Sequence, residues 1–393
     1  MALKAFQYRL YPSKAQENRL LNALDCARNL YNMSLSERKW AYQLEGRSVT
    51  KTEQLRIVKH YKATFPQARD VHSHILQVAV ADCDKAFQAF FRRVKAGEKP
   101  GYPRFKGRLH FRSIGLKEYG NGFALDGRKL RVSGVGRISV RWHRPLEGDL
   151  KTVRVICKAG KWYASFACEV PEPAPLPPTG QAVGIDVGLS ALLTTSDGEK
   201  VAHPAFYRAG QRTLRRLQRR LARAKRGSHN RRKALRAVQR QQAHVAAQRA
   251  DFLHKLSADL VRQHDRIALE DLRVRHMVRN RHLSKSILDS GWSTFRQYLT
   301  YKAESAGREV AFVDPAYTSK SCSECGAVFQ DFDLSTRWVT CACGLSLDRD
   351  HNAARNILRR AGWGAPVLQN VAPLPLGSTP AGKRKRAAEA TRL

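Results

Sequence analysis

Four cysteines near the end of the chain constrain its fold more than any other feature of the sequence. They form two pairs, Cys322 and Cys325 in CSEC and Cys341 and Cys343 in CAC, with fifteen residues between the pairs. Gly326 and Gly344 follow the pairs and supply the positive-φ turn that a metal knuckle requires. Four thiolates at this spacing indicate one structural zinc site whose ligand positions are all filled by protein. The second pair is C-x-C instead of C-x₂-C, which predicts a tighter knuckle.

The chain is strongly basic: 71 Lys and Arg against 33 Asp and Glu give a net charge of +38. Such a field repels itself unless a polyanion neutralises it, and nucleic acid is the natural polyanion because each contacted phosphate releases counterions. Residues 211–250 hold fourteen Lys and Arg and no acid, with a break at Gly227-Ser228. We interpret this stretch as a nucleic-acid-binding helical pair. The predicted contact residues are Arg212, Arg215, Arg216, Arg219, Arg220, Arg223, Lys225, Arg226, Arg231, Arg232, Lys233 and Arg236.

Other features exclude several classes of protein. No run of 18 apolar residues occurs, so we expect no membrane span, and MALKAFQYRLYP has no apolar signal core. We therefore expect a cytoplasmic protein, in a compartment where stable disulfides are rare. Walker loops, dinucleotide fingerprints and the histidine spacing of metalloproteases do not occur.

The N-terminal part of the sequence predicts one strand followed by helices. Residues 5–11 alternate apolar and polar side chains, as a strand does. Pro12 ends the strand, and Ser13 with Gln16 forms a capping box that starts a helix. A second apolar stripe marks a longer helix: Leu76, Val80, Cys83, Phe87 and Phe90. We therefore expect a helical block over residues 13–96.

Strand patterns return after the Gly/Pro-rich segment GEKPGYPRFK at 97–106. Asp126-Gly127 lies between short alternating runs and predicts a hairpin. We expect a small β-barrel or sheet of residues 1–12 and 97–170, with the helical block as an insertion. PEPAPLPP at 171–178 has five prolines in eight residues and predicts a stiff linker over 171–180.

The second half of the sequence alternates strands and helices. AVGIDVGLSALLTTSDG predicts two strands, RIALEDL at 266–272 a buried strand, and EVAFVDP at 309–315 another strand. Helices are predicted at 287–306 and 352–361. From Gly364 the chain is rich in Pro, Gly and Ala, with KRKR at 383–386, which predicts a disordered basic tail over 364–393. The fold class is therefore multidomain α+β.

Three carboxylates lie where they would be costly without a partner. Asp186 lies in the apolar strand GIDVG, Glu270 ends the strand IALEDL, and Asp350 opens the last helix. A buried charge must be paired or bind a metal, and three carboxylates on one α/β core can hold two Mg²⁺ ions about 4 Å apart. Glu270 and Asp271 are adjacent, and because side chains alternate along a strand only one of them can face the site. Glu270 has the longer side chain and lies two residues after Ala268, on the same face of the strand. Asp348 competes with Asp350, although it suits a helix cap.

The motifs GIDVG, IALEDL, YTSKSCSECG, CG and DRDHNAARNIL, in this order, resemble the TnpB/OrfB family of transposon-associated proteins. The resemblance runs from the first strand to about residue 362 and includes GYPRFK and GSHNRRKA. It implies a wedge-like β-barrel (1–12 and 97–170) with a helical recognition insertion (13–96). It also implies a RuvC-like nuclease of RNase H fold (181–316 and 348–363) and a zinc-binding target-loading module (317–347).

The same resemblance implies an RNA-guided DNA endonuclease encoded by a transposon and related to type V CRISPR effectors. By it, Asp186, Glu270 and Asp350 are the catalytic acids that bind magnesium, and Asp350 is favoured over Asp348 because it directly precedes x-N-A-A. Asn352 then supports the helix start. The implied partners are a guide RNA copied from the transposon end and double-stranded target DNA next to a short flanking motif, bound by a monomer. The alternatives are a catalytically idle RNA-guided repressor, a compact type V CRISPR effector and a strand-joining transposase.

Overall fold

The computed structural model describes residues 1–330, 332–333 and 335–364. The basic tail predicted over 364–393 lies outside these residues, except for Gly364. The described chain divides into two compact units. The first comprises Met1–Pro173 and Gly210–Ala247, and the second comprises Ala174–Ala209 and the described residues from Gln248 onward.

Three helices follow the first strand of the first unit: α1 (Lys14–Glu45), α2 (Lys51–Thr64) and α3 (Ser73–Lys95). The predicted capping box is confirmed, because the Ser13 and Gln16 side chains each bond to the other residue's backbone N–H. The apolar stripe predicted on α3 is also confirmed for Leu76, Val80 and Cys83, which are fully buried. These helices pack with the unit's sheet around one hydrophobic core.

Seven strands form the antiparallel sheet of the first unit, in the order β2-β6-β7-β1-β5-β4-β3. Their bounds are β1 (Ala2–Tyr11), β2 (Ser113–Leu116), β3 (Phe123–Asp126), β4 (Lys129–Val132), β5 (Gly136–Arg141), β6 (Asp149–Lys158) and β7 (Lys161–Val170). The hairpin predicted at Asp126-Gly127 joins β3 to β4. β1 lies in the middle of the sheet, paired with β7 and β5, so α1–α3 interrupt the sheet in sequence. β2 and β3 are its two edges, which makes it an open half-barrel.

The sheet of the second unit has five strands in the order β10-β9-β8-β11-β12. Their bounds are β8 (Ala182–Asp186), β9 (Ala191–Thr195), β10 (Lys200–Ala202), β11 (Arg266–Glu270) and β12 (Glu309–Val313). β8, β11 and β12 are parallel neighbours, whereas β9 and β10 run antiparallel. The two strands predicted in AVGIDVGLSALLTTSDG and those predicted at 266–272 and 309–315 are confirmed, the last two with bounds of 266–270 and 309–313. β8 and β11 end side by side.

Six further helices lie between and after these strands: α4 (Phe206–Arg223), α5 (His229–Gln263), α6 (Val274–Met277), α7 (Ser284–Ser290), α8 (Trp292–Ser305) and α9 (Arg349–Arg360). The prediction of one helix over 287–306 is wrong, because Gly291 has φ 71° and separates α7 from α8. The last helix starts three residues earlier than predicted. None of the described helices combines the length and apolar character needed to cross a membrane.

From Ala174 onward, the proline-rich segment after β7 is part of the second unit and forms hydrogen bonds within it. Leu176 N–H donates to the carbonyl of Ala306, and Arg308 donates to the carbonyl of Pro177. The Asp265 carboxylate accepts from the backbone N–H groups of Thr179 and Gly180. These bonds fix the chain just before β8, the strand that carries Asp186.

Candidate active site

Two of the predicted acids lie at the carboxyl ends of adjacent parallel strands. Leu269 of β11 is in register with Ile185 of β8. Glu270 and Asp186 are the next residues along these two strands, so they also lie opposite each other. Side chains at one level of neighbouring parallel strands point to the same face, and such strands lie about 4.8 Å apart. The register therefore brings the two carboxylates together.

Helix α9 covers the face of the sheet to which these acids point. Gly184, two residues before Asp186, lies against α9 so closely that a Cβ there would stand 2.1 Å from the Ala354 carbonyl oxygen. Ala268, two residues before Glu270, packs against Ile357 of the same helix. Asp350 lies in the first turn of α9. Because side chains alternate along a strand, all three acids converge at one end of the α9–sheet interface.

The charge of Asp186 is poorly compensated in the absence of a cation. Burial raises the pKa of its carboxyl well above the ordinary value, and Glu270 and Asp350 raise it further. Arg349 lowers it only in part, and this guanidinium also lies 3.3 Å from the Asp350 carboxylate. The protein thus holds three acids together with an excess of negative charge, which is the electrostatic condition for binding a divalent cation.

Glu270 and its neighbour Asp271 have different surroundings. Burial raises the pKa of Glu270, although the hydrogen bond from the Thr318 hydroxyl and the charge of Arg360 lower it. Asp271 is exposed and forms an ion pair with Arg296. Of the two carboxylates, Glu270 is the one that faces Asp186.

Asp348 and Asp350 are likewise distinct. The Asp348 side chain accepts from the backbone N–H groups of Asp350 and His351 at 3.0 and 3.3 Å, so it is the N-cap of α9. Lys200 Nζ lies 2.7 Å from its other oxygen. Burial alone raises the pKa of Asp348, but Lys200 and the two N–H groups outweigh it and hold the pKa below its usual range. The cap predicted for Asp348 is confirmed, and it fixes the turn from which Asp350 projects.

The four cysteines converge as one group. Cys322 Sγ lies 3.6 Å from Cys343 Sγ, Cys325 Sγ lies 3.5 Å from Cys341 Sγ, and all four sulfurs lie within 4.8 Å of one another. Tetrahedral zinc with Zn–S bonds of about 2.3 Å places its sulfurs roughly 3.8 Å apart, whereas a disulfide needs about 2.05 Å. The spacing fits zinc ligands. In the described part of the chain, these four cysteines are the group of metal-ligating side chains whose ligand atoms lie close enough to hold one metal ion.

The backbone around the thiols is that of two metal knuckles. Cys341 and Cys343 follow β13 (Trp338–Thr340), which pairs with β14 (Ser346–Asp348). Gly326 and Gly344 have φ of 79° and 94°, as predicted. Burial raises the pKa of Cys322 to about 12, whereas the backbone N–H of Leu345 chiefly lowers the pKa of Cys343 to about 7. The cluster therefore does not hold four thiolates unaided, and binding a cation here would release protons.

Two buried asparagines of α9 bind the backbone of the first knuckle. The Asn352 side chain accepts from Ser323 N–H at 2.9 Å and donates to the Ser321 carbonyl at 2.8 Å. Asn356 donates to the carbonyls of Thr318 and Ser321 at 2.9 and 2.6 Å. The side-chain amides thus tie the cysteine module to the helix that carries Asp350. Asn352 does not act in the helix start, where Asp348 is the cap, so that interpretation was wrong.

Sequence reasoning missed Thr318 and Asn356 as parts of the site. Thr318 is 2% exposed; its hydroxyl donates to Glu270 and its carbonyl accepts from Asn356. One residue therefore contacts both a site carboxylate and the asparagine clamp. The available signal was the pair of asparagines at i and i+4 in DRDHNAARNIL, because Asn is a poor helix former and needs another reason to be there.

The predicted basic residues lie on α4, on the first half of α5 and in the turn between these helices. Eleven of them are exposed, and Arg231 is half-buried. Arg231 donates to the carbonyls of Leu221 and Ala224 at the end of α4, at 2.9 and 3.1 Å. In the described residues, none of the twelve forms an ion pair. The exposed eleven thus present uncompensated positive charge to solvent.

The fold and these sites define a class: a multidomain protein of mixed α and β structure that combines a Cys₄ module, a half-buried group of three acids and a strongly basic surface. Comparisons with known proteins agree. A profile described as "Probable transposase" (OrfB_IS605) matches residues 165–281, and one described as "Cas12f1-like, TNB domain" matches 292–357. A "Helix-turn-helix domain" profile of the OrfB_IS605 group matches 1–47, although these residues form β1 and one long helix.

Relatives over nearly the whole chain place it in a family. A protein of Streptomyces pristinaespiralis named "Putative RNA-guided DNA endonuclease" is 38% identical over 363 residues, covering 90% of this chain and 88% of that protein. InsQ of Escherichia coli K12, with the same description, is 31% identical and covers 91% and 92%. This chain belongs to the TnpB/OrfB family. Its fold is similar to that of a Cas12f1 protein solved with guide RNA and target DNA, with a TM-score of 0.58, 13% identity, and 91% and 98% of the two chains covered.

Proposed function

We propose that this protein is an RNA-guided DNA endonuclease that cleaves double-stranded DNA with divalent metal ions held by Asp186, Glu270 and Asp350. The observation that carries the proposal is the excess of negative charge at these three half-buried acids, on two adjacent strand ends and one helix. Such a charge is costly without a cation. The relatives from Streptomyces pristinaespiralis and Escherichia coli are both described as putative RNA-guided DNA endonucleases, and this chain covers 88% and 92% of their lengths.

The three acids would hold magnesium, which suits a few carboxylates completed by water and substrate phosphate. Bound as a pair, such ions activate a water and stabilise the leaving oxygen of a phosphodiester. The chain's own groups prepare this chemistry. Thr318 fixes the Glu270 carboxylate by its hydroxyl, and the Asp348 cap fixes the turn that carries Asp350.

The domain assignment follows the same proposal. Residues 181–316 and 348–363 form a RuvC-like nuclease of RNase H type, supported by the mixed sheet β10-β9-β8-β11-β12. Residues 317–347 form a zinc module for loading the target, supported by the four converging thiols. The half-barrel and α1–α3 form the wedge and the recognition insertion. Zinc is structural, because protein fills all four of its positions.

A guide RNA and target DNA would neutralise the exposed basic residues of α4 and α5. Eleven unpaired cations in one helical pair suit the phosphates of an RNA or an RNA–DNA hybrid. Sequence specificity would come from base pairing between guide and target, while the protein contacts backbones and a short flanking motif. One active site would cut both strands in turn.

The experiment that tests this proposal purifies the protein with its bound RNA from cells that carry the flanking DNA of its gene. Sequencing that RNA gives the guide, and a linear DNA with the matching sequence and a library of flanking motifs is then incubated with Mg²⁺. We expect cleavage of matched DNA and none of DNA with a scrambled target. Binding of matched DNA without cleavage would support the repressor, and recovery of no discrete RNA would contradict guidance altogether.

A further inference from the structure

A pocket of about 350 Å³ opens beside Glu270, and the proposed chemistry does not use it. Its walls are largely apolar and include the rings of Trp292, Phe295 and Phe312. Val187, which directly follows Asp186, also lines it. The pocket is thus bounded by the ends of the same two strands that carry two of the acids. Its volume lies at the low end of the range for small-ligand pockets, about 300–1,000 Å³, so it accommodates one small unit.

The charged side chains of the pocket favour an anionic ligand. Arg273, Arg275 and Arg296 line it, and Glu270 is the one carboxylate among its lining residues. The Arg296 guanidinium lies 3.7 Å from the centre of the Phe312 ring and is paired with Asp271. Arg273 and Arg275 are exposed, and neither forms an ion pair with an acid in the described part of the chain. Two cations therefore remain available beside an aromatic wall.

The occupant must combine three properties. It needs a flat apolar face to contact the aromatic wall and a negative charge to pair with Arg273 and Arg275. If it takes part in the proposed cleavage, it must also be covalently linked to the phosphate that reaches the three acids. A nucleotide has all three, since every base has a π-face that stacks on aromatic side chains. The base must also be unpaired, because a base inside a duplex is not available to a protein pocket.

We propose that this pocket binds the unpaired base of the DNA nucleotide next to the phosphodiester that is cleaved. The inference rests on the proposed endonuclease function and adds a base subsite to it. The half-buried ring of Phe312 contacts the base, Arg273 and Arg275 hold adjacent phosphates, and the scissile phosphate is thereby placed at the three acids. In single-strand binding proteins, the stacking of one base on an aromatic side chain changes affinity by about 5- to 150-fold. We expect an effect in the same range on the rate of cleavage.

The test scans an abasic nucleotide through the cleaved region of the matched target, one position at a time. Wild-type ribonucleoprotein should cut one of these abasic DNAs at least fivefold more slowly than intact DNA, and that position should adjoin the cleaved phosphate. The variant Phe312→Leu should slow the cutting of intact DNA by a similar factor but should not slow further the cutting of that abasic DNA. Tyr301→Leu, on the same helix as Trp292 but outside the pocket, is the matched control and should behave as wild type on both substrates.

The outcomes separate the pocket from the endonuclease proposal. If wild type does not cut intact matched DNA, the endonuclease function itself fails. If it cuts intact and all abasic targets equally, or if Phe312→Leu slows intact and abasic targets by the same factor, the base subsite is refuted while the endonuclease stands. Arg275→Ala is a second variant at an exposed position that does not affect folding of the core. It should raise the DNA concentration for half-maximal cleavage, and an unchanged concentration would contradict the role of this cation.

Discussion

Replacing Asn356 by Leu should loosen the cysteine module, which we propose binds zinc. Asn356 is 1% exposed, and its amide makes the hydrogen bond that the Thr318 carbonyl accepts from α9. Ser321 keeps its bond from Asn352 at 2.8 Å, and Arg359 keeps its bond to the Ser323 carbonyl at 2.9 Å. The variant therefore leaves the Thr318 carbonyl without this donor and also removes the acceptor of Arg359 Nη2, which lies 2.9 Å from Asn356 Oδ1. One buried group left unsatisfied costs about 1–3 kcal/mol.

The variant loses the bonds from Asn356 to the carbonyls of Thr318 and Ser321. Because both bonds join α9 to the chain at the first knuckle, their loss weakens the packing of that knuckle on α9. A central value of about 2 kcal/mol corresponds to roughly 30-fold weaker retention of zinc. The assay follows zinc release from the purified ribonucleoprotein with a chromogenic chelator. We expect release to be about 30-fold faster in Asn356→Leu, with the DNA cleavage rate falling as zinc is lost.

The matched control is Asn32→Leu in the first unit. Asn32 also makes two hydrogen bonds to backbone, both with Lys106, at 3.1 and 2.9 Å. Its loss should leave zinc release unchanged even if it lowers the melting temperature. A folded Asn356→Leu protein that keeps zinc as long as wild type does would refute the clamp. Cleavage that persists after complete zinc removal would refute the link between the module and the acids.

Three further outcomes follow from individual contacts. In EDTA, Asp186→Asn should melt a few degrees higher than wild type, because an amide of equal size removes buried like-charge repulsion worth roughly 1 kcal/mol or more; an equal or lower Tm in scanning calorimetry would contradict this. Thr318→Val should raise the Mg²⁺ concentration for half-maximal cleavage about tenfold by removing the hydrogen bond to Glu270, and Thr318→Ser should restore it. Arg232→Ala should reduce the salt slope of RNA binding by about one. Arg231→Ala should instead lower Tm and spare the slope, since its side chain binds the carbonyls at the end of α4; an equal effect of both on the slope would be unexpected.

Local sequence signals predicted most of the elements. The capping box at Ser13 and the Asp126-Gly127 hairpin each depend on contacts within a few residues, so they can be derived without the tertiary fold. The strand around Asp186 was predicted from its apolar run, and Asp186 was singled out because a charge in such a run must be paired or bind a metal. The single helix over 287–306 was wrong because one glycine in a helical pattern is often tolerated, and the backbone at Gly291 adopts positive φ here.

The contacts that position the site could not be derived in the same way. Asn356 and Thr318 are 38 residues apart in sequence, and only the packing of the cysteine module on α9 makes them neighbours. The level arrangement of Asp186 and Glu270 depends on the register of β8 and β11, which no local pattern specifies. Arg231 lies in a strongly basic stretch and was therefore predicted to contact nucleic acid. Its guanidinium instead donates to backbone carbonyls at the turn between α4 and α5.

The most direct test of the account compares the adjacent acids Glu270 and Asp271. Ribonucleoproteins with Glu270→Gln and with Asp271→Asn are given the same matched target and Mg²⁺, and the cleavage rate is measured together with binding of the target. Because Glu270 faces Asp186 and Asp271 is paired with Arg296 at the surface, Glu270→Gln should bind the target normally and lower the rate by at least a thousandfold, an expectation of about 4 kcal/mol for a lost metal ligand. Asp271→Asn should keep most of the rate. Normal cleavage by Glu270→Gln, or loss of cleavage by Asp271→Asn alone, would contradict the assignment of the active site.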